Sequence, residues 1–353
     1  MKVAILNDTH AGVRNSSDIF IDYQERFYSK VFFPYLKEHN ITQILHLGDY
    51  YEHRKYINFK ALNANRKHFL DILKQDGLHM DIIPGNHDVF FKNTNELCSL
   101  KELLGYYTGN VNIIMNPTVL KYGDTSVAAL PWINSENYSK SIAFVNNCKA
   151  TILAGHLELV GFEMMKGVIN AHGMDTTNFK RFDTVLSGHF HTKSSIDNIH
   201  YLGSQMEFTW ADAHDPKYFH ILDTDTNTIE KVLNPITMFE KILYNDEEVC
   251  YTDYDFTKLD GKFVKVFVVK KKDPYSFDKF IDKIQDQDIH ELKIAESFDE
   301  FLGENVEDDG VMVEDTNELL DSYVDGVETE LDKQRIKHLM QSLLVEAQSM
   351  DIL

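Results

Sequence analysis

The sequence predicts an α/β fold followed by a small α+β module and a terminal helix. Three observations carry that reading. Short β-branched runs alternate with longer helical patterns across the first 240 residues, the texture shifts after about Met238, and helical spacing of apolar residues returns near the end of the chain. Val3–Leu6 reads as a strand that runs into Asn7-Asp8-Thr9-His10. Asp22–Leu36 reads as a helix, with Phe27 and Val31 on one face and Pro34 kinking or ending it. Ile44–Leu47 is a second strand, Ala61–Leu73 a second amphipathic helix and Met80–Ile83 a third strand. Further strands are expected at Asn112–Met115, Thr118–Lys121, Ser126–Leu130, Thr151–Ala154, Thr184–Leu186 and Tyr218–Leu222. Many lie too close together for crossover helices, so part of the sheet should be antiparallel.

Beyond Met238, Lys262–Val269 reads as a strand, Tyr275–Ile284 as a helix and Ile289–Ile294 as a returning strand. The organisation expected is a catalytic domain over 1–238, a small capping domain over 239–297, an acidic linker over 298–330 and a helix over 331–353. In that last segment Ile336, Leu339, Met340 and Leu343 share a face, which either packs on its own domain or docks on a partner.

Composition bounds the function classes. Of 353 residues, 43% are hydrophobic and 26% charged, ordinary globular usage that excludes wholesale disorder. Cys98, Cys148 and Cys250 stand singly, which excludes a disulfide framework and a thiolate zinc site and suggests a reducing compartment. No apolar run reaches the length of a signal peptide or a membrane span, so the expectation is a cytoplasmic protein without membrane contact. The net charge of −21 would count against a nucleic-acid partner. However, Asp286–Asp332 holds 18 acidic residues against the single Lys293, which leaves only −4 for the rest of the chain. Most of the acidity therefore belongs to one segment, read as a solvated connection.

Chemistry is concentrated in five short motifs, each at the carboxyl end of an expected strand: Asp8-Thr9-His10, Gly48-Asp49, Gly85-Asn86-His87-Asp88, Gly155-His156 and Gly188-His189-Phe190-His191. Such strand ends share one edge of an α/β sheet, where ligands bind. Carboxylate, amide and imidazole without thiolate suit manganese, iron or catalytic zinc. The count fits two ions: Asp8, His10 and His191 for one, Asn86, His156 and His189 for the other, with Asp49 free to bridge. A pair of ions roughly 3.5–4 Å apart is suited to phosphoester hydrolysis. His87, beside Asn86, is left for proton donation or charge stabilisation at the leaving oxygen, oriented by the carboxylate of Glu52 or of Asp88. No Gly-x-Ser-x-Gly elbow, Walker-type loop or His-Glu-x-x-His is present.

In this order the motifs resemble the calcineurin-like metallophosphoesterase superfamily, over about residues 1–225. Tyr201-Leu202-Gly203-Ser204 and the run from Asp212 through Asp215-Pro216-Lys217 to Phe219 look like the SbcD-type DNA repair nucleases, and most like the divergent subunits of tailed phages. Tyr218 stands where that pattern has glycine, and Leu202 where it has proline. The resemblance implies a four-layer αββα core with a cap, and two divalent ions, manganese with magnesium as the alternative. It also implies exonuclease and endonuclease action at DNA ends in double-strand-break repair or recombination. The implied partners are a second copy, through helices such as Ala61–Leu73 and Thr94–Leu104, and a coiled-coil ATPase of the SMC type held by the terminal helix. DNA contact would fall to His53, Arg54 and Lys55 beside Asp49, and to Lys271 within Lys270–Lys272 of the cap; ordinary surface charge is the alternative. The rival functions are a phosphomonoesterase or cyclic-nucleotide phosphodiesterase on the same site, and a non-catalytic scaffold for DNA ends.

Overall fold

A computed structural model of the chain describes residues 1–165 and 167–295, together with 333, 335 and 337. The acidic segment 298–330 and the apolar positions Ile336, Leu339, Met340 and Leu343 lie outside the described residues.

Two six-stranded sheets stack face to face. The strands of the first are β1 (Lys2–Leu6), β2 (Gln43–His46), β3 (His79–Ile82) and β4 (Val111–Ile113), all parallel, extended by a later antiparallel pair. The second is built on β5 (Thr118–Tyr122), β6 (Thr125–Leu130) and β7 (Ile152–His156). After a two-stranded excursion, β8 (Glu163–Met165) and β9 (Val168–Ile169), it continues with β10 (Thr184–Gly188), β11 (Ser194–Ile196) and β12 (Ile199–Tyr201). The chain then returns to the first sheet as β13 (Tyr218–Asp223) and β14 (Thr228–Leu233), with β13 antiparallel to β1. Mixed direction is therefore present in both sheets, as the close strand spacing requires.

Alternation along the strands builds the layers. In β1, Ala4 and Leu6 face a core of helix residues such as Phe20, Phe27, Phe32 and Phe69, while Val3 and Ile5 face Val127, Ala129, Ile152 and Leu186 of the other sheet. In β6, Ala128 and Leu130 point to an outer core with Val145, Phe179 and Phe182. The order is helix, sheet, sheet, helix, the four-layer α/β sandwich expected.

The elements correct or extend the expectations in three respects. Pro34 does not end its helix, one of the two outcomes expected of it: the helix runs as Asp18–Phe27, a π-turn at Tyr28–Phe32 and Phe33–Glu38. Phe33 N–H reaches back five residues to the Tyr28 carbonyl, and this wider turn accommodates a proline that lacks a donor. The helix expected at Thr94–Leu104 begins only at Ser99, because Asn95 is held outside it by the Trp132 carbonyl and by the Asn134 side chain. Finally, the returning strand expected over Ile289–Ile294 is present, and its direction is parallel: β15 (Phe239–Asn245), β16 (Phe263–Lys270) and β17 (Glu291–Ala295) run in one direction, with helix Pro274–Gln285 as the crossover. This module has its own core, with Tyr244, Val264, Val266, Phe277 and Phe280 buried together.

Candidate metal centre

The five motifs meet at one edge, because β1, β2 and β3 of the first sheet and β7 and β10 of the second all end there. Gly48 and Gly85 let the first two turns come together. Gly48 has φ +93°, and a Cβ on Gly85 would lie 2.5 Å from the Asp49 nitrogen and 2.7 Å from His156 Cε1. Asp8, His10, Asp49 and His189 also have positive φ (46°, 44°, 53° and 92°), a concentration of backbone strain typical of functional turns.

All seven candidate ligands are brought together. Ligand atoms of Asp8, His10 and His191 lie within 4.8 Å of one another, and so do those of Asp49, His156 and His189. Asn86 joins the second group, its Oδ1 2.9 Å from His156 Nε2 and 3.0 Å from His189 Nδ1. Asp49 lies between the groups, with Oδ2 3.3 Å from His156 Nε2 and 3.9 Å from His10 Nε2. Asp8, His10, Asp49 and His156 are buried, whereas His189 and His191 are partly open.

The hydrogen bonding of this cluster asks for cations. His156 Nδ1 lies 2.7 Å from the Leu47 carbonyl and must donate to it, so in a neutral ring Nε2 is an acceptor. That lone pair faces two further acceptors, Asn86 Oδ1 and Asp49 Oδ2. Asp49 Oδ2 is itself buried with no hydrogen-bond partner. In the first group, His10 Nε2 and His191 Nε2 face each other at 3.0 Å. Facing acceptors need a proton or a metal ion between them, and the titration of the groups shows the protonic alternative. Burial alone would lower His10 and His156, yet Glu52, Asp49 and Asp8 raise His10 to about 9, and Asp49 with Asp8 raises His156 to about 9. Burial would raise Asp49, but His156, His87 and His10 hold it well below the usual carboxylate range. Burial, helped by His10⁺, pushes His191 down to about 4, and burial with His156 pushes His189 well below the usual imidazole range. Carboxylate, amide and imidazole around an unpartnered Asp49 oxygen are a donor set that fits divalent metal ions.

Around the cluster the expectations meet a correction. His87 donates from Nδ1 to the main-chain carbonyl of Glu52 at 2.6 Å, and no carboxylate orients it. The Glu52 carboxylate instead lies 2.7 Å from His10 Nδ1, which brings that acid down to about 2 despite its burial. Asp88 is a brace that accepts the amides of Tyr50, Tyr51 and Gly85. His87 Nε2 is buried without a partner, and its main-chain N–H donates to Asp49 Oδ1 at 2.8 Å. His53, Arg54 and Lys55 follow on the loop beyond Glu52, where Lys55 is exposed and His53 stacks on the exposed Tyr56 at 4.4 Å. Lys271 sits in the turn after β16, its amine over the Phe277 ring of its own module.

Several supporting residues carry no local signal. Trp132 packs edge-on against His156 and tilted against His189. Phe208 packs edge-on against both His10 and His191. Asn7 holds Asp8 Oδ2, and Gln24 donates to the Thr9 and His10 carbonyls. Buried His46, pushed down to about 3 by burial, accepts the Gly48 amide and contacts Thr9 Oγ1, the ordinary role of a core histidine.

The chain is similar to several known proteins. The calcineurin-like phosphoesterase family matches residues 1–193. Exonuclease subunit 1 of Enterobacteria phage T4 is 30% identical over 98% of this chain and 99% of its own length. The SbcD component of the SbcCD nuclease from Escherichia coli K12 is 24% identical over 63% of this chain and 68% of its own. A solved archaeal phosphodiesterase aligns with a TM-score of 0.33 and 14% identity, covering 66% of this chain and all of that one. Among the described residues no helix is long and apolar enough to cross a membrane. The match over residues 1–193, more than half the sequence, shows that this chain belongs to the calcineurin-like phosphoesterase family of metal-dependent hydrolases.

Proposed function

We propose that the chain is the nuclease subunit of a DNA end-processing complex in break repair or recombination, hydrolysing phosphodiester bonds with two manganese ions. The observation that carries the reading is the junction of two carboxylate–imidazole groups at Asp49, each with its ligand atoms within 4.8 Å of one another, the amide of Asn86 joining the second. Asp8, His10 and His191 would hold one ion and Asn86, His156 and His189 the other, with Asp49 shared. Ions bound there supply an activated water and neutralise charge on the phosphate. The chain's own residues supply the rest. His87 keeps Nδ1–H on the Glu52 carbonyl, so when the ring is charged its free Nε2 is the atom that gives a proton to the leaving oxygen. Trp132 and Phe208 wall the two groups and keep their imidazoles in register.

The relative matched over nearly the whole chain is a phage exonuclease subunit, and the Escherichia coli relative matched over about two thirds is a subunit of the SbcCD nuclease, which supports a DNA substrate and a partner. On this reading residues 1–238 form the nuclease domain, 239–297 the cap, 298–330 a linker and 331–353 the helix that docks on a coiled-coil ATPase, in a cytoplasmic homodimer. DNA would meet His53, Arg54 and Lys55 beside the centre and Lys271 on the cap. A manganese titration on linear duplex and single-stranded DNA, run beside a phosphate monoester and a cyclic nucleotide, tests the assignment. Cleavage of DNA is expected. Hydrolysis of only the small esters would replace the nuclease with a phosphomonoesterase or cyclic-nucleotide phosphodiesterase, and no hydrolysis would leave an end-binding scaffold.

A further inference from the structure

The metal centre is supported unequally. The Asp49, Asn86, His156 and His189 group rests on the Leu47 carbonyl of its own turns and on the Trp132 ring, which packs on His156 and His189. The Asp8, His10 and His191 group leans on a segment far along the chain, residues 207–217 between β12 and β13. Phe208 in this segment is 1% exposed and packs on His10 (5.7 Å) and His191 (5.5 Å). What holds Phe208 is Asp212, whose Oδ2 accepts the amides of Phe208 and Thr209 at 2.8 and 2.9 Å. Asp212 is paired in turn with Lys217, Nζ to Oδ1 at 2.5 Å, and both are 4% exposed. The same ammonium donates to the His191 carbonyl at 3.1 Å and to Asp215 at 3.0 Å. One buried cation thus grips a candidate ligand's backbone directly and its ring through Phe208.

A lysine is costly at such a depth. Removing it from water is repaid only by close partners, and here Asp212 and Asp215 restore and even raise its basicity against burial. An apolar contact would serve stability alone at least as well. A cation whose third hydrogen bond lands on the main chain of a candidate ligand is better explained by the ligand.

We infer that Lys217 and Asp212 are positioning residues that lock the 207–217 segment against His191 and His10, and so set the affinity of one metal position without touching the other. The inference rests on the two-metal reading above. Supports of this kind are worth 10- to 100-fold in metal affinity.

Equilibrium Mn²⁺ binding to the full chain is the direct test. Wild type should bind two ions. The double variant Lys217→Met/Asp212→Asn removes both charges of the buried pair, leaves only the partly exposed Asp215 without its partner, and retains an acceptor for the Phe208 and Thr209 amides. It should keep one ion at wild-type affinity and bind the other 10- to 100-fold more weakly. Lys217→Arg, which keeps the cation and its donors, should restore both. Phe208→Leu keeps the ion pair and removes the ring; it should weaken the same position, and it decides the matter if the double variant does not fold. A folded double variant or Phe208→Leu protein with the wild-type isotherm overturns the positioning role while leaving the two-metal centre intact. A wild-type chain that binds fewer than two ions overturns both.

Discussion

Glu52 and His87 meet through a carbonyl: the main-chain oxygen of Glu52 accepts from His87 Nδ1 at 2.6 Å, while its carboxylate turns away to His10 Nδ1 at 2.7 Å. One residue therefore serves two histidines by two different groups, and only the carboxylate can be removed by mutation. Glu52→Ala should raise the manganese concentration needed for activity by 10- to 100-fold, through His10, and leave turnover at saturating metal near wild type. Metal titrations of the rate check this. Full metal occupancy with turnover lowered by 10²-fold or more would move the carboxylate's role back to His87.

His87 is the complementary case. Its ring makes one hydrogen bond, to Glu52, and leaves Nε2 buried and unpartnered beside the cluster, so its loss should spare both ion positions. His87→Ala is expected to bind two manganese ions and to lose 10²- to 10⁴-fold in turnover, the usual worth of a positioned acid or base. The deficit should shrink for a substrate whose leaving group needs no proton, such as a nitrophenyl ester. An equal deficit on good and poor leaving groups would argue against proton donation.

Gly85 tests the geometry without replacing a ligand. A methyl group there would press on the Asp49 main chain and on the His156 ring, at 2.5 and 2.7 Å, and neither has room to retreat in a buried turn. Gly85→Ala should cost about 1–3 kcal/mol of stability, as overpacking does, and should weaken both ion positions together. Thermal melts and a metal isotherm measure the two effects. Unchanged metal binding would show that the Gly48 and Gly85 turns do not fix Asp49.

The distinction between these residues explains what the sequence made legible. Asp8, His10, Asp49, Asn86, His156, His189 and His191 stand out because each follows an apolar run and a strand end is a local feature. Their convergence follows from parallel strands ending on one edge. Phe208 and Lys217 carry no such mark: a phenylalanine reads as core and a lysine as surface until the chain closes over 26 residues to the His191 carbonyl. The Glu52 carbonyl was invisible because any residue offers one. Strand β14 escaped for a different reason: an exposed edge strand, Thr228–Leu233 carries two charged residues and lacks a continuous apolar run. The π-turns before Phe33 and Asp71 leave the apolar faces in place and change only the hydrogen-bond ladder, which composition does not encode.

The root of the three-stranded module β15–β17 contains a titrating group that can be isolated. Glu207 is 1% exposed and its Oε2 accepts the amides of Met238 and Phe239 at 2.5 and 3.0 Å, where β15 leaves the nuclease sandwich. Burial raises its carboxyl to about 7, with Asp212 adding to the rise and the two amides and Lys217 opposing it. The folded chain thus holds this proton more tightly than the unfolded chain does, whose glutamate titrates near 4.5. The stability it contributes is complete below about pH 4.5 and is lost as pH rises through about 7, each pH step between the two values removing roughly 1.4 kcal/mol. Glu207→Gln keeps an acceptor for the amides and cannot ionise. In metal-free denaturant titrations the wild type should lose roughly 2–3 kcal/mol relative to this variant between pH 5 and 8, the histidines of the metal centre cancelling because both proteins share them. Parallel pH profiles would mean that Glu207 is ionised throughout and that the Met238 and Phe239 amides alone outweigh its burial.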